Sequence, residues 1–239
     1  MEIIPSHALT QAQLDDIWVL TDAYIDTVRS TFEAKLRELP ELALFRTTSG
    51  ALVGMTSFEA YRVHHARRRR TVIFTSSVVI DERYRGQVIL ARLGARIFMR
   101  EKRRHPFTPV DWLFDTFSYK SYLLLPRNFT EYWPRRDCAT PPEVAAYIDA
   151  LARDRYGEAW QPTRGIVARS GTKRLKPHTA PIDSRMLADP DIRFYDSLNP
   201  GHRDGDMLVC LCPLTPPNWL ALARGVVVRW RLQRLQRRP

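Results

Sequence analysis

Hydrophobic positions recur along the chain in two rhythms. From Thr10 to about Leu39, residues Leu14, Ile17, Trp18, Leu20, Tyr24, Ile25, Val28 and Phe32 follow near-helical spacing, which predicts an amphipathic helical stretch with Thr10 as N-cap and Pro40 as its end. Glu2 to Ala8, ahead of it, reads as a short strand. Three strand-like runs follow, Leu42 to Thr48, Ala51 to His64 and Thr71 to Ile80. Ser49-Gly50 turns the first pair and the arginine run 67 to 70 turns the second, so an antiparallel meander is expected. Beyond the polar stretch Asp81 to Gly86, a helix is predicted from Gln87 to about Lys102, with Ile89, Leu90, Leu93, Ile97 and Phe98 on one face. A strand at Val110 to Phe114 and a short helix from Ser118 to Leu125, ending before Pro126, complete this half.

The stretch from Asn128 to Arg185 has a different texture. Pro134, Pro141, Pro142 and Pro162 punctuate it, leaving a helix from about Pro142 to Arg155, a strand at Gly165 to Arg169, and the reading of an added lobe or lid. Met207 to Leu211 is a buried strand by composition. A basic helix is expected from about Asn218 to Arg237, with Trp219, Leu222, Val226 and Trp230 on one stripe. The expected organisation is a core over 1–125, an elaborated lobe over 126–206 and a closing strand and helix over 207–239, all within one compact domain.

With 239 residues, 44% hydrophobic and 26% charged, the chain has the balance of a folded globular protein, which excludes disorder, collagen and coiled coil. Cys138, Cys210 and Cys212 are too few and too oddly spaced for a disulfide framework or a structural zinc site, so no metal and a reducing cytoplasmic setting are expected. No basic region followed by an apolar run opens the sequence. The apolar stretch Trp219 to Trp230 is interrupted by Arg224 and Arg229 and is too short to span a bilayer.

Charge changes the picture further. The net +11 is concentrated: residues 61–105 carry 13 basic and 3 acidic side chains, and residues 207–239 carry 6 arginines and no acid. Such density attracts polyanions, among them nucleotides, nucleic acid, anionic lipid and an acidic carrier protein. Exposed hairpin and helix faces explain the same arginines equally well.

The segment Val79-Ile80-Asp81-Glu82-Arg83-Tyr84-Arg85-Gly86-Gln87-Val88-Ile89-Leu90, placed between a predicted strand and a predicted helix, resembles the cofactor loop of the GNAT superfamily of N-acyltransferases. The element order also resembles that family. In it such a loop cradles a pyrophosphate on backbone N–H groups at a helix N-terminus, with glycines permitting close approach. Val88 and Leu90 stand where the family has its two later glycines, which points to a looser grip on coenzyme A or to a phosphopantetheine arm carried by an acyl carrier protein. Asp115-Thr116-Phe117-Ser118-Tyr119-Lys120-Ser121-Tyr122 is similar to a second family feature, an Asn after the fifth strand and a Tyr seven positions later.

The resemblance implies an α/β (α+β) fold, a GNAT-like mixed and mostly antiparallel sheet flanked by helices, with an added helical lobe. It also implies acyl transfer from an acyl-CoA or acyl-phosphopantetheine co-substrate to an amine by direct attack. Ser77, Val78, Val79, Arg83, Arg85, Gly86, Gln87 and Val88 would bind the donor, and Tyr122 would protonate the departing thiolate. Read from the residues themselves, Glu59 on the third meander strand is the first candidate general base, with His64 and His65 behind it, and Asp115 is a second basic or substrate-binding group. A core role competes with each: Tyr122 lies beside Leu123, Leu124 and Leu125, and Glu59 suits a surface ion pair. The long-chain N-acyl amino acid synthases that use acyl carrier protein are the members this variant resembles. The competing class is a non-catalytic basic module binding nucleic acid or anionic membrane, with affinity falling steeply with salt. Its basic terminal helix suits peripheral contact with an anionic membrane, whereas no nucleic-acid motif is present.

Overall fold

The computed structural model of the chain describes residues 1–85, 89–169, 171 and 173–225. Strand β1 (Glu2–Pro5) runs into a 3-10 turn, Ser6–Ala8. Helix α1 (Gln11–Asp22) then starts at Thr10 through a capping box, the Thr10 hydroxyl accepting from the Gln13 N–H while the Gln13 side chain accepts from the Thr10 N–H, which satisfies two of the donors a helix start leaves free.

The expected single helical stretch is two helices. Its apolar spacing continues through a two-residue strand, β2 (Ile25–Asp26), to α2 (Arg29–Glu38). The break is fixed from outside, where Lys176 N–H and the Thr179 hydroxyl donate to the Tyr24 carbonyl. Contacts so distant in sequence leave no mark on local periodicity.

The meander follows as β3 (Glu41–Arg46), β4 (Leu52–His65) and β5 (Arg68–Ile80), all antiparallel. The arginine run is not the turn. Ala66 and Arg67 alone form it, both at positive φ (46° and 62°), and Arg68 already pairs with His65. Positive φ at both central residues is the two-residue hairpin geometry that matches strand twist. A 3-10 turn at Glu82–Tyr84 and helix α3 (Ile89–Arg104) lead to β6 (Val110–Thr116), which lies parallel to β5.

Short helices α4 (Tyr119–Tyr122) and α5 (Leu124–Asn128) come next. Pro126 sits inside α5 rather than after it, in the first turn, where an N–H has no helical partner to lose. Helix α6 (Pro142–Tyr156), two-residue strands β7 (Trp160–Gln161), β8 (Ile166–Val167) and β9 (Arg174–Leu175), helix α7 (Pro190–Leu198) and strand β10 (Met207–Pro213) follow, and residues 216–225 are helical.

The result is a mixed, mostly antiparallel sheet flanked by helices, as expected. Its eight strands run β1-β3-β4-β5-β6-β10-β8-β7, and a separate pair joins β2 to β9. Thus residues 126–206 supply both a flanking helix and two strands of the main sheet. One face carries α1 and α2 over Leu42, Leu44 and Met55, and α6 over Val72, Phe74, Leu113 and Val209. The other carries α3 over Phe45, Phe58 and Ile73, and α4, α5 and α7 over Phe114, Leu208 and Cys210. None of the described helices is long and apolar enough to cross a membrane, and no group of metal-ligating side chains occurs among the described residues.

Candidate active site

The sheet parts between β5 and β6. Parallel pairing of β5 with β6 ends at Thr75 and Phe114. Beyond it β5 continues to Ile80 on β4 alone, and β6 continues through Asp115 and Thr116 on β10 alone. The facing edges therefore diverge into a wedge. At its root β5 bulges: Met55 pairs with Val79 but Ser57 pairs with Ser76, so Ser77 and Val78 together oppose Thr56. Ser77 adopts φ 51°, and the Ser76 carbonyl is held by the Thr56 and Ser57 hydroxyls at 3.2 and 3.0 Å. A bulge of this kind re-aims the backbone and leaves a residue outside the ladder. Val78 is exposed, whereas the Val79 side chain belongs to the core under α1.

At the far end of β5 the chain turns through the basic loop. The Arg85 Nε donates to the Ile80 carbonyl at 3.0 Å, and its guanidinium lies 4.7 Å from the Tyr24 ring centre. The Tyr24 hydroxyl accepts from the Glu82 N–H. Lys120 reaches the same region from α4, donating to the Thr179 carbonyl at 2.6 Å. Partial burial lowers the Lys120 pKa and the Arg85 charge lowers it further, the signature of two cations sharing one location. Arg83 is exposed and engaged with Asp81 at 2.7 Å. Gly86, Gln87 and Val88 lie outside the described residues.

On the α6 face of the wedge stand two of the three expected catalytic groups. Glu59 is on β4 opposite Phe74. It accepts from Arg155 at 2.6 Å, and that guanidinium stacks 3.8 Å over the Phe74 ring centre with its Nε buried and unpartnered. These residues, with Glu38, Pro40 and Ser57, line a cavity of about 170 Å3. Asp115 is the first residue of β6 past the last β5 pair. It accepts from the Tyr156 hydroxyl at 2.9 Å. Burial raises its pKa against the opposing pull of Tyr156, Arg169, Lys173 and Arg155. Arg155 and Tyr156, neighbours at the end of α6, thus bridge the two carboxylates. Lys173 completes the cluster, 5.8 Å from the Phe117 ring centre, its pKa pushed down to about 8 by burial, with Arg169 and Lys35 adding to the effect and Asp115 opposing it.

Tyr122 is not among them. It belongs to the opposite face, fully enclosed against Phe194 and Tyr195, with its hydroxyl donating to the Pro134 carbonyl at 3.2 Å. Burial raises its pKa. This is the setting of a core tyrosine with a satisfied hydroxyl, and a solvent-borne donor reaches it only if the packing opens. His64, bonded to Arg69, and His65, packed at a tilt against Tyr147, lie at the hairpin end of β4.

The basic density is divided. On α3, Arg96, Arg100, Arg103 and Arg104 line a groove of about 530 Å3 beside Ile3. Arg100 there is neutralised by Glu41 and Glu101, and Arg70 forms a two-pronged pair with the buried Asp111 at 2.5 and 2.6 Å. Val226 and Trp230 of the expected terminal stripe lie outside the described residues, and Trp219 packs on Phe98 of α3.

No protein-family model matches the chain, and comparison with curated proteins gave no match. Among solved structures, a conserved protein of unknown function from Enterococcus faecalis V583 is similar at 13% identity and a TM-score of 0.39, over 55% of this chain and 33% of that one. A GNAT-family N-acetyltransferase from Escherichia coli in complex with CoA is similar at 15% identity and a TM-score of 0.33, over 47% and 61%. Saccharomyces cerevisiae N-myristoyltransferase with bound myristoyl-CoA is similar at 13% and 0.35, over 61% and 38%. The chain spans a third of the first of these proteins and about three fifths of the second. At such partial overlap the function has to be read from this chain's own residues.

Proposed function

We propose that the protein is an N-acyltransferase that takes an acyl group from a thioester of coenzyme A or of a carrier-borne phosphopantetheine and passes it to an amine. The observation that carries this reading is the wedge itself: β5 leaves β6 after Thr75 at the bulge of Ser77 and Val78, with cations at one end and carboxylates on one face. A thioester laid along the freed edge of β5 meets backbone N–H groups of Ser77 to Val79, which can polarise its carbonyl. Arg85 and Lys120 suit the phosphates. Glu59 and Asp115 suit the role of base for the proton an attacking ammonium must lose, directly or through water, and burial makes Asp115 a stronger base than an ordinary carboxylate. Tyr122 has no part in this scheme.

The basic groove on α3 supports an acidic carrier protein as the donor's bearer, and the basic terminal segment supports peripheral contact with an anionic membrane. Neither nucleic acid nor a metal has a role in the scheme. The test is thermal-shift binding of CoA, acetyl-CoA, a long-chain acyl-CoA and an acyl carrier protein. At a hundredfold excess over Kd, about 2.7 kcal/mol of stabilisation is expected, or roughly 5–10 °C for a chain of this size, and most of it should vanish in Arg85→Ala. Indifference to all four donors overturns the reading.

A further inference from the structure

Phe107 is almost wholly exposed, at 97%, yet its backbone is firmly held. It stands on a turn that the Thr108 N–H closes by donating to the His105 carbonyl, with Pro106 ahead of it presetting the backbone angle. The Lys102 ammonium donates to the Pro106 and Thr108 carbonyls at 3.1 and 2.8 Å, and the His105 N–H donates to the Glu101 carbonyl. A turn at this point needs no aromatic side chain. A single exposed apolar side chain is common on protein surfaces, and what sets this one apart is the charge around it.

The turn lies beside the β4–β5 hairpin, because the Thr71 N–H donates to the Pro109 carbonyl and Thr71 pairs with Val110. Arg62 and His64 follow Phe58 and Ala60 in alternation, and so carry the α3 side of the sheet on towards the hairpin turn. Arg62 reaches the Phe107 turn itself, its guanidinium 3.3 Å from the His105 Nε2. Arg69, opposite His64, donates to the His64 Nε2 at 3.1 Å. An arginine offers no acceptor, so both rings meet these guanidinium groups as neutral acceptors and cancel none of their charge. The carboxylates nearby are taken by others, Asp111 by Arg70 and Glu101 by Arg100 and Arg104. Arg62, Arg67, Arg68, Arg69 and Arg103, all exposed, form no ion pair among the described residues.

We propose that this end of the molecule docks on an anionic membrane, with Phe107 entering the interface and Arg62, Arg69 and Arg103 facing lipid phosphates. It extends the membrane contact proposed for the terminal segment and does not depend on acyl transfer. A soluble polyanion would meet the arginines and leave Phe107 in water. A protein partner would need a pocket shaped to one protruding ring, whereas a bilayer interface receives an aromatic ring and pairs cations in one step. The surface lies at the opposite end of β5 from Arg85, so docking leaves the wedge open.

The test is cosedimentation of the 239-residue chain with vesicles of phosphatidylcholine alone and of phosphatidylcholine with about 30% phosphatidylserine. A single-stranded oligonucleotide and an acyl carrier protein serve as soluble anions. The anionic vesicles should retain the protein and the neutral ones should not, and retention should be lost as NaCl rises to about 0.5 M. Phe107→Ser should weaken binding at least about tenfold, and Phe107→Trp should preserve it. Arg62→Gln combined with Arg69→Gln should weaken it about thirtyfold, at roughly fivefold per charge. Circular dichroism should be unchanged in every variant. CoA binding is read separately by thermal shift, so failure of either reading leaves the other standing. Full vesicle binding in both Phe107→Ser and the double variant, with the terminal segment then the whole contact, overturns the proposal. So does an arginine-dependent affinity for the oligonucleotide or the carrier protein that Phe107→Ser leaves intact, with no retention on vesicles.

Discussion

Taking the hydroxyl off Tyr122 distinguishes a core residue from a proton donor. In Tyr122→Phe the hydrogen bond to Pro134 is lost and the ring packing on Tyr195 is kept, so a stability loss of about 1 kcal/mol and an unchanged acyl-transfer rate are expected, from denaturant melts and a turnover assay. Asn218 is the sharper structural case. Fully buried, it accepts from the Thr130 and Glu131 N–H groups and donates to the Glu131 and Pro213 carbonyls at 2.7 Å each. Asn218→Ala strands several buried backbone groups, and a loss of about 3 kcal/mol is expected in the same melts. Lys173 carries a pH signature. Its folded pKa lies below the unfolded value, so the stability it contributes is fully present above about 10.5 and is lost as pH falls through about 8. Lys173→Met should therefore flatten the rise of melting temperature between those limits. Of the site's side chains, Glu59 could be found in the sequence because a carboxylate on a predicted strand is conspicuous, and Asp115 because it opens the segment that resembles a family feature just past the strand expected at Val110 to Phe114. Arg155, Tyr156 and Lys173 could not, since they reach the wedge through the packing of α6 and the β2–β9 pair, and nothing near them in sequence reports that packing.

Among the elements, the meander was the most legible, because short apolar runs bounded by turn residues mark strands even where both faces are covered, as in Leu42 to Phe45. The bulge at Ser77 and Val78 was not, for a single extra residue leaves the alternation on either side intact. The same limit hid the hairpin turn, where four arginines outweighed the two residues that actually reverse the chain. Ala66 and Arg67 both occupy the left-handed region, a cost that Asn and Gly largely avoid. The double change Ala66→Asn and Arg67→Gly should raise the denaturation midpoint by the equivalent of about 1 kcal/mol and leave donor binding as it is, since the turn lies at the opposite end of β5 from the basic loop.

At the scale of the whole molecule, one crossover decides where chemistry can happen. Every neighbouring pair in the main sheet is antiparallel except β5 with β6, and the wedge opens in that pair. The element order made a mixed sheet predictable. That β7 and β8 would extend it beyond β10 was not, because two-residue strands carry no period of their own. The sheet's connectivity has a further consequence, for the chain as it leaves the ribosome. Strands β3 to β5 each pair with a neighbour in sequence and can settle early, whereas β6 waits for β10, Thr116 for Leu208, while the roughly ninety residues between them are made. During that interval β6 is an open edge, the kind of surface on which nascent chains aggregate. A chain stopped at Asp206 should accordingly be made in normal amount yet sediment as aggregate, while the 239-residue chain stays in the supernatant. Synthesis is thus most vulnerable at the strand that forms one wall of the wedge.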